Sequence, residues 1–485
     1  MRKIFVCIAF FSVVLSACND WLTIEPSDQI SGEDLYANAD GYYTQINGIY
    51  QDMAKSELYG CELSWGFLDV LAQYYDMSTS TNHGYKQAAD GYNYGYARTK
   101  DIIAPIWSKM YNIIVNCNDL IQHIPAADTS FFPRRQMEKD MILGEAYGLR
   151  AILHFDLLRL FAPAPVTGDT KRYIPYVDQF PTLVPVKITN EEVLNKVIAD
   201  LRRAHDLTFV HDSIYREGLR DVKYRFELET GKYPRFTSHR GYRLNHYAIK
   251  AMLARVYHYK GDRDSALYYA EQVIQLHEYE GYFAYNESAD IKESEKKNVK
   301  LYGDVLFALY NNKLMDYSNA VNSDESNYLC LLDYDGIFNG EAEKDLRALQ
   351  WKENKNSKWI PVKISAQPEA SSQGQFCNKL IPMIRMSEMY YIVAEHEFQT
   401  YKQKAWYHLS YVRMARGLGW SEEANTQEDF NKQILNDMRR ELYGEGQLFF
   451  FYKRLNMKVL KKGLNVVTLG EKFVLPIPES NDVNR

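Results

Sequence analysis

The chain has 485 residues, 46% of them hydrophobic and 25% charged, with a formal net charge of −6. This is ample apolar material for a large core, and the slightly acidic balance argues against a nucleic-acid partner and against membrane binding through a basic face. Tyrosine is abundant, at 39 against 22 Phe and 7 Trp. Its flat apolar ring and hydroxyl suit helix packing and half-wet contacts alike.

The chain opens with Arg2 and Lys3, followed by an apolar run from Ile4 to Leu15 and then Ser16-Ala17-Cys18. That run is too short to span a bilayer. A basic start, a short apolar run and small residues at its exit describe a secretory signal over residues 1–17. Leu15-Ser16-Ala17-Cys18 resembles the bacterial lipobox, which implies cleavage before Cys18 and its acylation. Two or more acyl chains anchor stably where one does not. No later stretch is long and apolar enough for a transmembrane helix. Residues 18–485 are expected to form a single domain. Cys61, Cys117, Cys330 and Cys377 are widely spaced with no C-x-x-C, so a zinc site is not expected, and any disulfide pairing is unreadable from sequence.

Helical periodicity dominates the chain beyond the signal. In "IWSKMYNIIVNCNDLIQHI" the apolar residues from Ile106 to Ile124 recur at steps of three and four. "GEAYGLRAILHFDLLRLF" is apolar nearly all round, predicting a buried helix that stops at Ala162-Pro163-Ala164-Pro165. "TNEEVLNKVIADLRRAHDL" opens with a Thr189 or Asn190 cap and with Glu191 and Glu192, which suit the positive end of a helix dipole.

"AIKAMLARVYHYKGDRDSALYYAEQVIQL" places Leu253-Ala254, Tyr257, Gly261, Ala266 and Ala270 at tetratricopeptide spacing. "MYYIVAEHEFQTYKQKAWYHLSYVRMARGL", with Ala394 and Ala405, and "ILGEAYGL" are weaker copies. The predicted fold is therefore mostly α, built on tetratricopeptide-type helix pairs. Two stretches interrupt it without helical period, at about 56–101 and 279–378. Both are rich in Tyr, Asn, Asp, Gly and Ser, and both are too aromatic to be disordered.

Several segments in order resemble the SusD/RagB family of Bacteroidetes nutrient-uptake lipoproteins. They are "CNDWLTIEPSDQIS", "IWSKMYNIIVNCNDLI", "LGEAYGLRAILHFDLLRLFAPAPV", "YAIKAMLARVYHYKGD", "MIRMSEMYYIVAEHE", "ILNDMRRELYGEGQLFFFYKRLN" and "FVLPIPESNDVNR". Arg440, Glu441, Leu442, Glu445, Gly446 and Arg454 match the family's C-terminal pattern, whereas Gln447 and Tyr452 stand where Arg and Asp are usual. The resemblance implies a SusD-like helical fold and a lid-like association with a TonB-dependent outer-membrane barrel. It also implies a lipid anchor as the only membrane contact, with the protein facing the extracellular side. The implied ligands are oligosaccharides, or peptides in the RagB branch.

The chain carries no G-x-S-x-G, H-E-x-x-H, P-loop or G-x-G-x-x-G. A non-catalytic binding protein without cofactor or metal is therefore expected ahead of a lipid-anchored hydrolase. His396, between two glutamates, reads as a surface residue. Asp333 and Asp335 lack EF-hand spacing. A sugar offers an apolar C–H face for stacking and a rim of hydroxyls for directed hydrogen bonds. The resemblance places ligand sites in the loop before Trp107-x-x-x-Tyr111 and in the insertion after the central repeat, the two Tyr-rich stretches. The candidates are Tyr74, Tyr75, Asp76, Tyr92, Tyr94 and Tyr96 from the first, and Tyr310, Asn311, Asn312, Tyr317 and Tyr328 from the second.

Overall fold

The computed structural model describes residues 35–479 except 183–184, 227–233, 293–297, 323–328, 368–373, 421–423 and 464. The signal segment 1–17, Cys18 and Tyr328 lie outside the described residues. Most of the chain is helical. The principal helices are α1 (Ala39–Met53), α2 (Phe67–Leu71), α3 (His83–Gly91), α4 (Ala97–His123), α5 (Arg135–Phe161), α6 (Asn190–Ile214), α7 (His246–Lys260), α8 (Arg263–Glu280), α9 (Met386–Glu397), α10 (Lys402–Ala415), α11 (Gln427–Glu441) and α12 (Gln447–Arg454). Among the described residues, sheet is confined to two-stranded antiparallel ribbons. The longest pairs β1 (Val305–Tyr310) with β2 (Leu380–Arg385).

The three tetratricopeptide-type segments form packed helix pairs: α5 with α6, α7 with α8, and α9 with α10. In the first pair Gly144 is required by close approach. A Cβ there would lie 2.8 Å from Thr208 Cγ2 and 3.1 Å from the Ala204 carbonyl of α6. Every residue from Gly148 to Phe161 is buried, and α5 ends at Phe161 before the proline pair. α6 begins with a capping box: Thr189 accepts from the Glu192 N–H while the Glu192 carboxylate accepts from Thr189.

The two stretches expected to lack helical period are not plain loops. The first contains α2, α3 and the start of α4, and the second contains β1 and short helices at Leu314–Val321 and Tyr334–Phe338. These elements are too short for periodicity to register. Buried tyrosines supply much of the core, with hydroxyls held by protein acceptors: Tyr59 by Asp156 at 2.6 Å, Tyr391 by Asp437 at 2.5 Å, Tyr50 by Glu145 at 2.9 Å. The four cysteines are buried free thiols. His396 is half-buried rather than on the surface, with its Nε2 2.8 Å from His258 Nδ1.

Beneath the C-terminal helices lies a buried ionic cluster. Arg347 bonds Asp345 and Asp437 at 2.8 and 2.9 Å, and Arg416 bonds Glu441 and Asp304 at 2.5 and 3.0 Å. Arg385 bonds Glu445 at 2.5 Å, which also takes Lys363 at 2.8 Å. Arg454 grips Glu395 with two bonds. Gln447, the departure from the family pattern, accepts from Arg159 at 3.0 Å. Buried Tyr452 takes the Leu460 N–H on its hydroxyl.

Buried histidines set an acid sensitivity. Burial holds His154 down at about 3, and His246 and His408 at about 4. Each group's folded pKa lies below the unfolded value of about 6.5, so its contribution is full above that value and is lost as pH falls toward 4. The expected loss is up to about 1.4 kcal/mol per histidine per pH unit in that window. Denaturant melts at pH 7.5, 6 and 5 check this. A stability unchanged between 7.5 and 5 would overturn it.

Candidate functional site

The helix α1 has two faces. Tyr42, Ile46, Ile49 and Met53 enter the core. Asp40, Tyr43, Asn47 and Gln51 recur at steps of three and four on the other face, so they project together. That second face walls a cavity of about 860 Å³. The segment 234–243 supplies Phe236, His239, Tyr242 and Arg243, the end of β1 supplies Tyr310, and Phe376 and Lys379 close the rim.

Tyr310 is 47% exposed, and its ring meets Tyr242 edge-on at 5.3 Å. Tyr43 stacks on Phe236 at 3.9 Å, and the Arg243 guanidinium lies 4.1 Å from the same ring. Tyr43, Phe236, Tyr242 and Phe376 are half-buried. Aromatic surface therefore surrounds a wet space.

Buried ions hold the wall. Arg243 donates to Glu145 at 2.7 Å and to Asn47 Oδ1 at 3.0 Å, so it fixes the Asn47 side chain at the rim. Arg240 bonds the same Glu145 and also Asp212 at 2.8 Å. Burial alone would raise the Glu145 carboxyl, but Arg243 and Arg240 outweigh it and hold it below the ordinary range. Burial, with the hydrogen bond to Glu138, pushes the Tyr43 hydroxyl well up, so it stays protonated and donates to Glu138 at 2.7 Å. The Lys379 ammonium has no ion-pair partner among the described residues. The cavity can thus stack ring faces and bond hydroxyls.

Of the described residues singled out by sequence, only Tyr310 lines this cavity. The structure corrects four others, because each ring is buried and each hydroxyl already donates to a backbone carbonyl. Tyr74 bonds Arg439 O at 3.0 Å and Tyr75 bonds Trp65 O at 2.7 Å. Tyr92 bonds Leu71 O at 3.0 Å and Tyr94 bonds Lys472 O at 2.7 Å. They pack the core and offer no face to a ligand.

Asp76 is half-buried and holds the Ser78 N–H and hydroxyl. Tyr96 is half-buried at the N-cap of α4. Asn311 shapes the turn after β1, donating to Ala54 O at 2.6 Å and accepting from the Lys313 N–H. Asn312 is exposed, and Tyr317 is half-buried beside Asn311. Asp333 caps the helix Tyr334–Phe338 and accepts from the Gly463 N–H at 3.0 Å, which is a structural role. The two Tyr-rich stretches do meet: Tyr75 bridges Leu331, and the Leu332 N–H donates to Tyr74 O at 2.7 Å. Sequence reasoning missed α1 and the 234–243 segment. The alternation of apolar and Tyr/Asn faces in "ADGYYTQINGIYQDM" was the available signal.

Helix pairs of tetratricopeptide type beside an aromatic-lined cavity define a helical-repeat protein. A family model described as "Starch-binding associating with outer membrane" matches residues 32–227, and the SusD family model matches residues 232–472. The chain belongs to the SusD/RagB family. A SusD-like protein of Formosa agariphila is 25% identical over 206 residues. That alignment takes in 42% of this chain and 36% of the relative, so the chain spans about a third of the relative's length. A SusD superfamily protein from Bacteroides thetaiotaomicron superposes with a TM-score of 0.65 at 22% identity, covering 91% of this chain and 97% of the other. A SusD-like carbohydrate binding protein from Bacteroides vulgatus does so at 0.63 and 18%, covering 88% and 85%. Among the described residues no helix is long and apolar enough to cross a membrane.

Proposed function

We propose that this protein is a non-catalytic carbohydrate-binding lipoprotein of the outer membrane. It holds an oligosaccharide in the cavity around Tyr310 and passes it to a TonB-dependent barrel. A lipid on Cys18 is its only membrane attachment, and it faces outward. The observation that carries the reading is the cavity of about 860 Å³ with five partly accessible aromatic rings, Tyr43, Phe236, Tyr242, Tyr310 and Phe376, beside Asn47, Gln51 and Lys379. This pairing of ring faces with directed polar groups suits a sugar's C–H face and hydroxyl rim. The family's description and the Leu15-Ser16-Ala17-Cys18 signal support the location.

Calorimetry on the chain from Asn19 onward tests the reading, with neutral oligosaccharides of several linkages and tryptic peptides. Tyr310→Ala is expected to weaken saccharide binding about five- to tenfold, since an aromatic contact contributes roughly 0.5–1.5 kcal/mol beyond area. Folding should be unaffected, because the ring is nearly half exposed. Binding of peptides alone would replace the glycan reading with a peptide one. Saccharide binding indifferent to Tyr310→Ala would move the site elsewhere.

A further inference from the structure

A second and larger cavity, of about 1420 Å³, lies on another part of the molecule, against α11 and the residues after α12. On a chain of net charge −6 its lining among the described residues is basic, with five cationic side chains against Glu341 and Glu428. Three of these cations are held in ion pairs. Arg440 is held by Glu341 at 2.6 Å, Asp345 at 3.2 Å and two backbone carbonyls. Arg413 bonds Glu341 at 2.9 Å, and Lys432 bonds Glu428 at 3.0 Å.

Arg439 differs. It is 5% exposed and lines the cavity, yet among the described residues its guanidinium has no hydrogen-bond or ion-pair partner. Its nitrogens are not sealed from water, so the guanidinium opens onto the groove and can take an acceptor that enters it. Lys458, exposed on the same lining, also lacks a partner among the described residues. Along α11, Lys432, Asn436 and Arg439 recur at steps of four and three, on one face. The indole of Trp420, 56% exposed, stands on the same lining.

We infer that this groove is a second binding site, for an acidic saccharide: Arg439 takes a sugar carboxylate in a two-bond grip, Lys458 a neighbouring anionic group, and Trp420 the face of a ring. The planar fork of arginine matches a carboxylate, and an exposed indole suits the C–H face of a ring. An acidic peptide shares the charge but lacks the stacked ring face. The inference rests on the proposed reading only in taking the ligand to be a saccharide.

The test titrates the full mature chain with tetragalacturonate, with maltotetraose as the neutral control and tetraglutamate as the acidic peptide. Tetragalacturonate is expected to bind, more weakly as salt rises. Arg439→Gln should lower its affinity at least tenfold, with Lys458→Gln and Trp420→Ala each lowering it about threefold. The latter two are exposed, so their folding is not at stake, and thermal melts monitor Arg439→Gln. A loss with Arg439→Gln and Lys458→Gln supports the site whether or not maltotetraose binds near Tyr310. Three results would overturn it: no tetragalacturonate binding, binding indifferent to both substitutions, or tetraglutamate binding equally well with Trp420→Ala silent.

Discussion

Replacing Glu441 with alanine is expected to cost this protein about 3–5 kcal/mol, the largest effect of any single side chain in its ionic cluster. Glu441 is fully buried and accepts from Arg416 at 2.5 Å and from Arg347 at 3.3 Å. Burial by itself would raise its carboxyl, but Arg416, with Arg385 and Arg347, holds it far below the ordinary range. Deleting the carboxylate leaves guanidiniums that have no route to water with less charge than they need. The gain forgone is small beside that penalty, which is why breaking a buried pair costs more than never having made it. Glu441→Gln keeps the volume and removes the charge, and should retain most of the loss. Urea unfolding of the three proteins measures this. A cost below about 1 kcal/mol for Glu441→Ala would show that the neighbouring carboxylates Asp304, Asp437 and Glu445 compensate, against the argument.

Gly446→Ala is expected to be nearly as damaging, by about 2–5 kcal/mol, for a reason independent of charge. Gly446 sits at the N-cap of α12 with φ +67, a left-handed conformation that costs a residue with a Cβ roughly 1–2 kcal/mol. The new Cβ would also stand 2.2 Å from the Leu63 carbonyl oxygen. That atom is backbone in the packed segment before α2, so two segments must part, which adds about 1–3 kcal/mol. Gly168→Ala is the matched control. Its φ of +68 is the same, but a Cβ there meets nothing within 4 Å. Thermal unfolding of both variants separates the two terms. Equal losses would mean that the approach to Leu63 contributes nothing.

Both residues belong to the C-terminal stretch that carries the family resemblance, and the structure gives that stretch a structural meaning. Arg440, Glu441, Glu445 and Arg454 are each consumed by buried or half-buried ion pairs. None of them lines the cavity around Tyr310, which instead draws on α1, the segment 234–243, the end of β1 and the rim residues Phe376 and Lys379.

The helix pairs could be read from the chain because their signals are local. Gly261 at the turn, Ala266 and Ala270 at the contact, the Thr189–Glu192 box and the Pro163 stop all act within a few residues of where they stand. That the two tyrosine-rich stretches are joined in space, through Tyr75 and Leu331, was not written locally in either of them. Which tyrosines are wet was not local. Tyr74 and Tyr310 carry the same ring and hydroxyl in similar company. One is buried, with its hydroxyl donating to Arg439 O, 365 residues away, and the other is exposed where β1 ends beside an open cavity. The helical-repeat class and the family were legible in the chain alone. Which tyrosines are buried and which line an open cavity was decided by the tertiary structure, because burial and the choice of hydrogen-bond partner are set by chain segments far apart in sequence.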